Sequence, residues 1–128
     1  MAKNPDLLIT LTTGKQDRGT RATLALSWGC AALAMSQEVS IFFTMDGTLW
    51  ASKGSTKGVK VAGFEPLKDY FEQFIELGGE ILVCAPCSEY YCSVESITGR
   101  GTLIEEAELT GLATIVSSMG DNTKTITF

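Results

Sequence analysis

Short apolar runs alternate with longer segments of helical spacing along most of this chain. Residues 7–11, Leu-Leu-Ile-Thr-Leu, form a nearly continuous apolar run that stops at Thr12-Thr13-Gly14, the pattern of a strand buried on both faces. A polar loop, residues 15–19, follows, and residues 20–37 are rich in Ala and Leu and apolar on most sides, which predicts a helix. Residues 39–43, Val-Ser-Ile-Phe-Phe, predict a second strand closed by Thr44-Met45-Asp46-Gly47. Residues 53–63 contain three lysines and four glycines or serines and read as a loop. Pro66 suits the first turn of a helix. Leu67, Tyr70, Phe71, Phe74, Ile75 and Leu77 then repeat at helical spacing, and Gly78-Gly79 ends the segment. Residues 80–83 predict a third strand. The stretch 88–101 has no clear period, residues 105–119 predict a third helix carrying Leu109, Leu112, Ile115 and Val116, and residues 123–128 alternate as a closing strand.

Strands joined by helical crossovers run parallel with right-handed connections. The expected product is a single α/β domain spanning residues 1–128. It is a three-layer sandwich whose mostly parallel sheet of four or five strands is flavodoxin-like, with helices on both faces. In that order the first and third strands lie adjacent. Chemistry in such sheets sits beyond the carboxyl ends of the strands, at the point where strand order reverses. Thr13-Gly14, Asp46-Gly47 and Cys84 all fall on that edge, and the expected order places Cys84 at the reversal.

Composition narrows the functions available. A chain of 128 residues that is 45% hydrophobic has material for one core. Its net charge of −5 and lack of a basic stripe argue against nucleic acid, whose binding draws on neutralised phosphates. The longest apolar stretch, residues 22–35, falls short of the roughly 20 residues that span a bilayer. The first residues lack the apolar run of a secretory signal, so a cytoplasmic location with reduced thiols is expected. Histidine is absent, which removes Cys-His hydrolases and His-ligated metals.

Cysteine is the candidate chemistry. Ile81-Leu82-Val83 runs into Cys84-Ala85-Pro86-Cys87, with Cys92 beyond and Cys30 in the Ala-rich helix. Pro86 marks a helix start, so Cys84 is expected at its cap. An ordinary thiol titrates near about 8.5. A helix N-terminus favours an anion by about 0.3–1 kcal/mol, up to about 2 when sheltered. At about 1.4 kcal/mol per pKa unit, this predicts a modestly lowered Cys84 thiol, with Lys53, Lys57, Lys60 or Arg100 as further positive charge. The rival reading, thiolate ligation of zinc or an iron–sulfur cluster, is weakened by the position of Cys30, which reads as a small core residue; no metal is expected. Cys92 reads equally as an accessory thiol or a bystander. Residues 14–20, Gly-Lys-Gln-Asp-Arg-Gly-Thr, look suited to phosphate but do not match the P-loop pattern, and the default is a loop and helix cap. Asp46-Gly47 reads most simply as a turn, and Trp28 as a core residue.

These residues together resemble the DsrE/DsrF-like (TusD-like) sulfur-relay family. The likeness runs through Thr13-Gly14, Arg21-Ala22-Thr23, Val39 to Thr44 with Asp46-Gly47, Gly79 to Cys84, and Thr125 to Phe128. The resemblance implies a cytosolic sulfurtransferase or sulfur carrier that holds sulfane sulfur as a persulfide on Cys84. Cys87 would be an accessory thiol; Gly14, Asp46 and Gly47, from their place on the strand-end edge, and Lys53 and Arg100, from their charge, are the candidate binding residues. The resemblance implies no cofactor, donor and acceptor partners that are proteins or small thiols, and a homo-oligomer, trimer or hexamer. One departure is that Tyr91-Cys92 stands where the family carries Arg-Gly, with Arg100-Gly101 later, as though residues had been inserted. Two other readings stand beside it. One is a thiol–disulfide oxidoreductase using Cys84 and Cys87, and the other is a non-catalytic binding module.

Overall fold

The structure is a computed structural model that describes residues 4–92 and 101–128. Its elements in order are β1 (Leu7–Leu11), α1 (Thr20–Ala34), β2 (Val39–Phe43), α2 (Leu67–Glu76), β3 (Glu80–Cys84), α3 (Ala85–Tyr91), β4 (Ala107–Thr110), α4 (Leu112–Ser118) and β5 (Lys124–Thr127). Short 3-10 segments, Lys15–Asp17 and Met45–Ala51, follow β1 and β2. The five strands are all parallel and lie in the order β4-β3-β2-β1-β5.

The period-2 alternation of side chains divides the interior into two cores. Leu7, Ile9 and Leu11, Val39, Ile41 and Phe43, and Ile81 and Val83 face one side, where Ala22, Ala25, Leu26, Leu67, Phe71 and Phe74 of α1 and α2 cover them. Leu8, Phe42, Leu82 and Cys84 face the other, against Ile115 of α4. Every residue of β2 is buried, as befits the middle strand of a sheet covered on both faces. Right-handed crossovers require this division. The strands step one way from β1 to β4, with α1 and α2 on one face, whereas α4 leads back to β5 across the other.

The α/β class, the parallel sheet and the helices on both faces are as the sequence predicts. Strand order differs. β1 pairs with β2 and β5 and has no pairing with β3, so the reversal falls between β1 and β5 and Cys84 lies away from it. The predicted helix over residues 105–119 is also divided. Ala107 to Thr110 extends in register with Ile81 to Cys84, and only Leu112–Ser118 is helical. Pairing with the open side of β3 outweighs a helical period carried by few residues, and Leu112 and Val116, expected on a buried face, are exposed. Pro66 stands at the cap of α2, just outside the helix.

At the carboxyl edge, the turn after β2 is stitched onto the end of β1. Thr44 N–H donates to the Leu11 carbonyl and Gly47 N–H to the Thr12 carbonyl, both at 3.1 Å. A Cβ on Gly47 would lie 2.2 Å from the Leu11 carbonyl oxygen, so only glycine allows this approach. Gly47→Ala should therefore lower unfolding stability in urea by about 1–3 kcal/mol. Gly111→Ala, where an added Cβ meets no atom within 4 Å, should change it by less than about 0.5 kcal/mol.

Candidate functional site

β3 ends on Cys84, which is also the N-cap residue of α3, and Cys87 lies in the first turn of that helix. The strand's alternation turns the Cys84 side chain onto the α4 face, where it packs with Leu82, Phe42 and Ile115 and is 7% exposed. Cys87 is half-buried and forms the rim of the same cluster. The two sulfurs differ in their surroundings. The backbone N–H of Met45 points at the Cys87 sulfur, 3.3 Å away, and the Thr44 hydroxyl lies 3.8 Å from it.

Burial by itself would push the Cys87 thiol up, but hydrogen bonds from the Cys84 thiol, Met45 N–H and the Thr44 hydroxyl outweigh it and hold Cys87 below the ordinary thiol value. Cys84 moves the opposite way. Burial pushes it up, and its hydrogen bond to the Cys87 sulfur adds to the rise. Between the two, the anion is therefore favoured at Cys87 over Cys84. The lowering expected at Cys84 from the helix end is overturned, because the surrounding hydrocarbon removes more stabilisation from that anion than the cap position supplies.

Met45 presents its N–H from the left-handed region, at φ 51°, a conformation costing a non-glycine residue roughly 1–2 kcal/mol. Neighbouring contacts hold it there. The Asp46 carboxylate accepts hydrogen bonds from the Tyr91 hydroxyl of α3 and from the Gln16 amide of the loop after β1. Gly14 makes the close approach of that loop feasible, since a Cβ there would lie 2.8 Å from the Asp46 carbonyl oxygen. The bond to Asp46 chiefly, then burial, pushes the Tyr91 phenol up to about 12.

Of the residues singled out in the sequence, Gly14, Asp46 and Gly47 are brought together with Cys84 and Cys87. Lys53 is not; it is exposed, and its backbone N–H is tied to the Thr102 carbonyl at 2.7 Å. Arg100, and most of the stretch from 88 to 101, lies outside the described residues. Cys92 is fully buried in the core on the α1 and α2 side, receives the Ser52 hydroxyl at 3.1 Å and is pushed up by burial. Cys30 is a core residue, its thiol 3.4 Å from the Tyr70 carbonyl and raised by burial to about 11. Trp28, read as core, is 46% exposed and meets the Phe128 ring edge-on, while Trp50 is the buried one and donates to the Thr13 carbonyl at 2.9 Å. Nothing in the sequence marks the Met45 N–H, and Gln16 and Tyr91 stand out there only as part of the polar stretch 14–20 and of the Tyr91-Cys92 departure. A backbone donor carries no residue signature, and the other two meet Asp46 only through the fold.

The Tyr91–Asp46 contact supplies a test. Because the raised phenol favours its protonated form when folded, its stabilisation is present below about pH 10 and is lost as the pH rises through about 12. In ultraviolet titrations read against Tyr91→Phe, the Tyr91 transition should lie near 12 in the parent protein and move towards 10 in Asp46→Asn.

The comparisons agree on the architecture. The solved structure of the YchN protein from E. coli superposes over the whole of both chains with a TM-score of 0.69 at 14% identity, a likeness of fold. An uncharacterised protein of Methanopyrus kandleri is 38% identical over 69 residues, so the chain spans about half (54%) of that relative's length. The profile of the DsrE/DsrF-like family matches residues 7–128, nearly the whole chain. On that match this protein belongs to the DsrE/DsrF-like family, whose members generally work in sulfur relay.

Proposed function

We propose that this protein relays sulfane sulfur as a persulfide, with Cys84 as the sheltered holding residue and Cys87 as the thiolate through which sulfur enters and leaves. The observation that carries this reading is the 3.3 Å approach of Met45 N–H to the Cys87 sulfur, which favours an anion at the more open thiol of the pair. Thiolate exchange needs no cofactor. The Cys87 thiolate attacks the outer sulfur of a donor R–S–SH; the new S–S bond gives Cys87–S–SH, and R–S⁻ departs with the electron pair of the broken bond. Cys84 then attacks that outer sulfur while its proton passes to the departing Cys87 sulfur, giving Cys84–S–SH and Cys87–SH. Delivery to an acceptor thiol is the same pair of steps reversed.

The arrangement suits both halves of such work. A persulfide on Cys84 sits among Leu82, Phe42 and Ile115, away from stray thiols. All four cysteines are free, in keeping with a reducing cytoplasm as the proposed place of work. Donor and acceptor are proposed to be proteins or small thiols, and the assembly a homo-oligomer, trimer or hexamer. The proposed reading differs from disulfide exchange in its product, because it leaves an added sulfur atom in place of a Cys84–Cys87 bond.

Incubation with a small-molecule persulfide donor, followed by intact mass, should add the mass of one sulfur atom. In Cys84→Ser the sulfur should be found on Cys87 and lost faster on dilution into free thiol; in Cys87→Ser loading should slow by about tenfold or more. No added sulfur on either residue overturns the relay, and a loss of two hydrogens joining the pair would establish thiol–disulfide exchange in its place. Peptide-resolved alkylation provides a second check. Only the thiolate reacts, so Cys87 should reach half its maximal rate below the pH of an ordinary thiol and Cys84 above it. Alkylation of Cys84 before Cys87 would reverse the roles assigned to them.

A further inference from the structure

The loop after β1 and the lysine-rich loop before α2, about 40 residues apart in sequence, meet around a cavity of about 430 Å³ lined by Lys15, Arg18, Trp50, Lys57, Val59 and Lys60. We propose that this cavity is a binding site for a small molecule bearing phosphate groups, with Lys15, Arg18, Lys57 and Lys60 as the cations that recognise it. Four of the chain's ten lysines and arginines border this space, in a protein whose net charge is −5, and no carboxylate among the described residues lines it. Like charges gathered so closely repel one another, and a multivalent anion relieves that repulsion as it binds.

The local structure holds the cations together. Arg18 N–H donates to the Lys15 carbonyl at 3.0 Å, closing the short turn with Arg18 in the left-handed region at φ 61°, and both residues border the cavity. Gly19, at φ 85°, lets the other loop come close, since a Cβ there would lie 2.5 Å from Val59 Cγ1. Val59 is fixed in turn, its carbonyl accepting Leu67 N–H at 3.0 Å. Asp17, beside Arg18 in sequence, is engaged elsewhere, for its carboxylate accepts the N–H groups of Gly19 and Arg21 and pairs with the Arg21 guanidinium at 3.3 Å; Asp69 lines the neighbouring cavity that Lys57 and Lys60 also border. Among the described residues none of the four cations is ion-paired; Lys15 rests over the Trp50 ring, 5.7 Å from its centroid. The volume is that of a small-molecule site, larger than one phosphate requires. Neither thiol lines it.

Inorganic pyrophosphate and orthophosphate, titrated separately by calorimetry at ionic strength held constant with sodium chloride, test the site. Pyrophosphate should bind saturably, and Lys57→Glu/Lys60→Glu, a change of two exposed side chains, should weaken it at least tenfold. Lys124→Glu, at the amino end of the sheet, should change the Kd less than twofold. Orthophosphate binding as tightly would identify a phosphomonoester ligand; weaker binding would identify a diphosphate. No saturable heat with pyrophosphate, or equal weakening in Lys124→Glu, overturns the proposal. The Cys84→Ser/Cys87→Ser variant should bind pyrophosphate unchanged, so this result stands or falls separately from sulfur transfer.

Discussion

A half-buried sulfur becomes an anion only where fixed donors replace the water it has lost, and in this protein the principal fixed donor is the N–H of Met45. A backbone donor supplies no charge and does not reorient, so its effect depends wholly on where the turn after β2 is held. That turn is pinned to the end of β1 by Thr44 and Gly47 and to α3 and the Lys15–Asp17 segment through Asp46. The site is therefore built from three strand ends: those of β2 and β3 reach Cys87, and that of β1 holds the turn after β2 in place.

The parallel sheet explains why two sulfurs three residues apart differ so much. Cys84 still obeys the alternation of its strand and is delivered into the smaller core beneath α4. Cys87 is already in the helix and sits at that core's rim beside the turn. Burial raises the first thiol; convergent donors lower the second. The pair thus offers one more acidic, more open thiol beside one that is buried and less acidic.

The same edge carries a second concentration of charge on the side of the loop after β1. Gln16 belongs to the thiol site through Asp46, whereas its neighbours Lys15 and Arg18 belong to the cationic cavity. A single 3-10 turn thus contributes to both places, and the fold sets them close without sharing a residue between their linings.

The sequence by itself determined the class of fold, the bounds of β1 and β2, those of β3 to within one residue, and the arrival of a C-x-x-C pair at the carboxyl edge. These are local matters: an apolar run, a proline and a glycine pair act within a few residues. Strand order was beyond it, because the choice between pairing β1 with β2 or with β3 rests on contacts between segments about 30 residues or more apart. The same holds for the strand 107–110, whose weak local pattern is decided by the open edge of β3. It also holds for the reversal of the two cysteines' acidity: a backbone N–H contributed from β2's turn, and the hydrocarbon around Cys84, exist only once the chain has closed on itself. Spacing in sequence brought the sulfurs together; tertiary structure decided which one is the more acidic, since desolvation and hydrogen bonding are properties of a place and not of a residue.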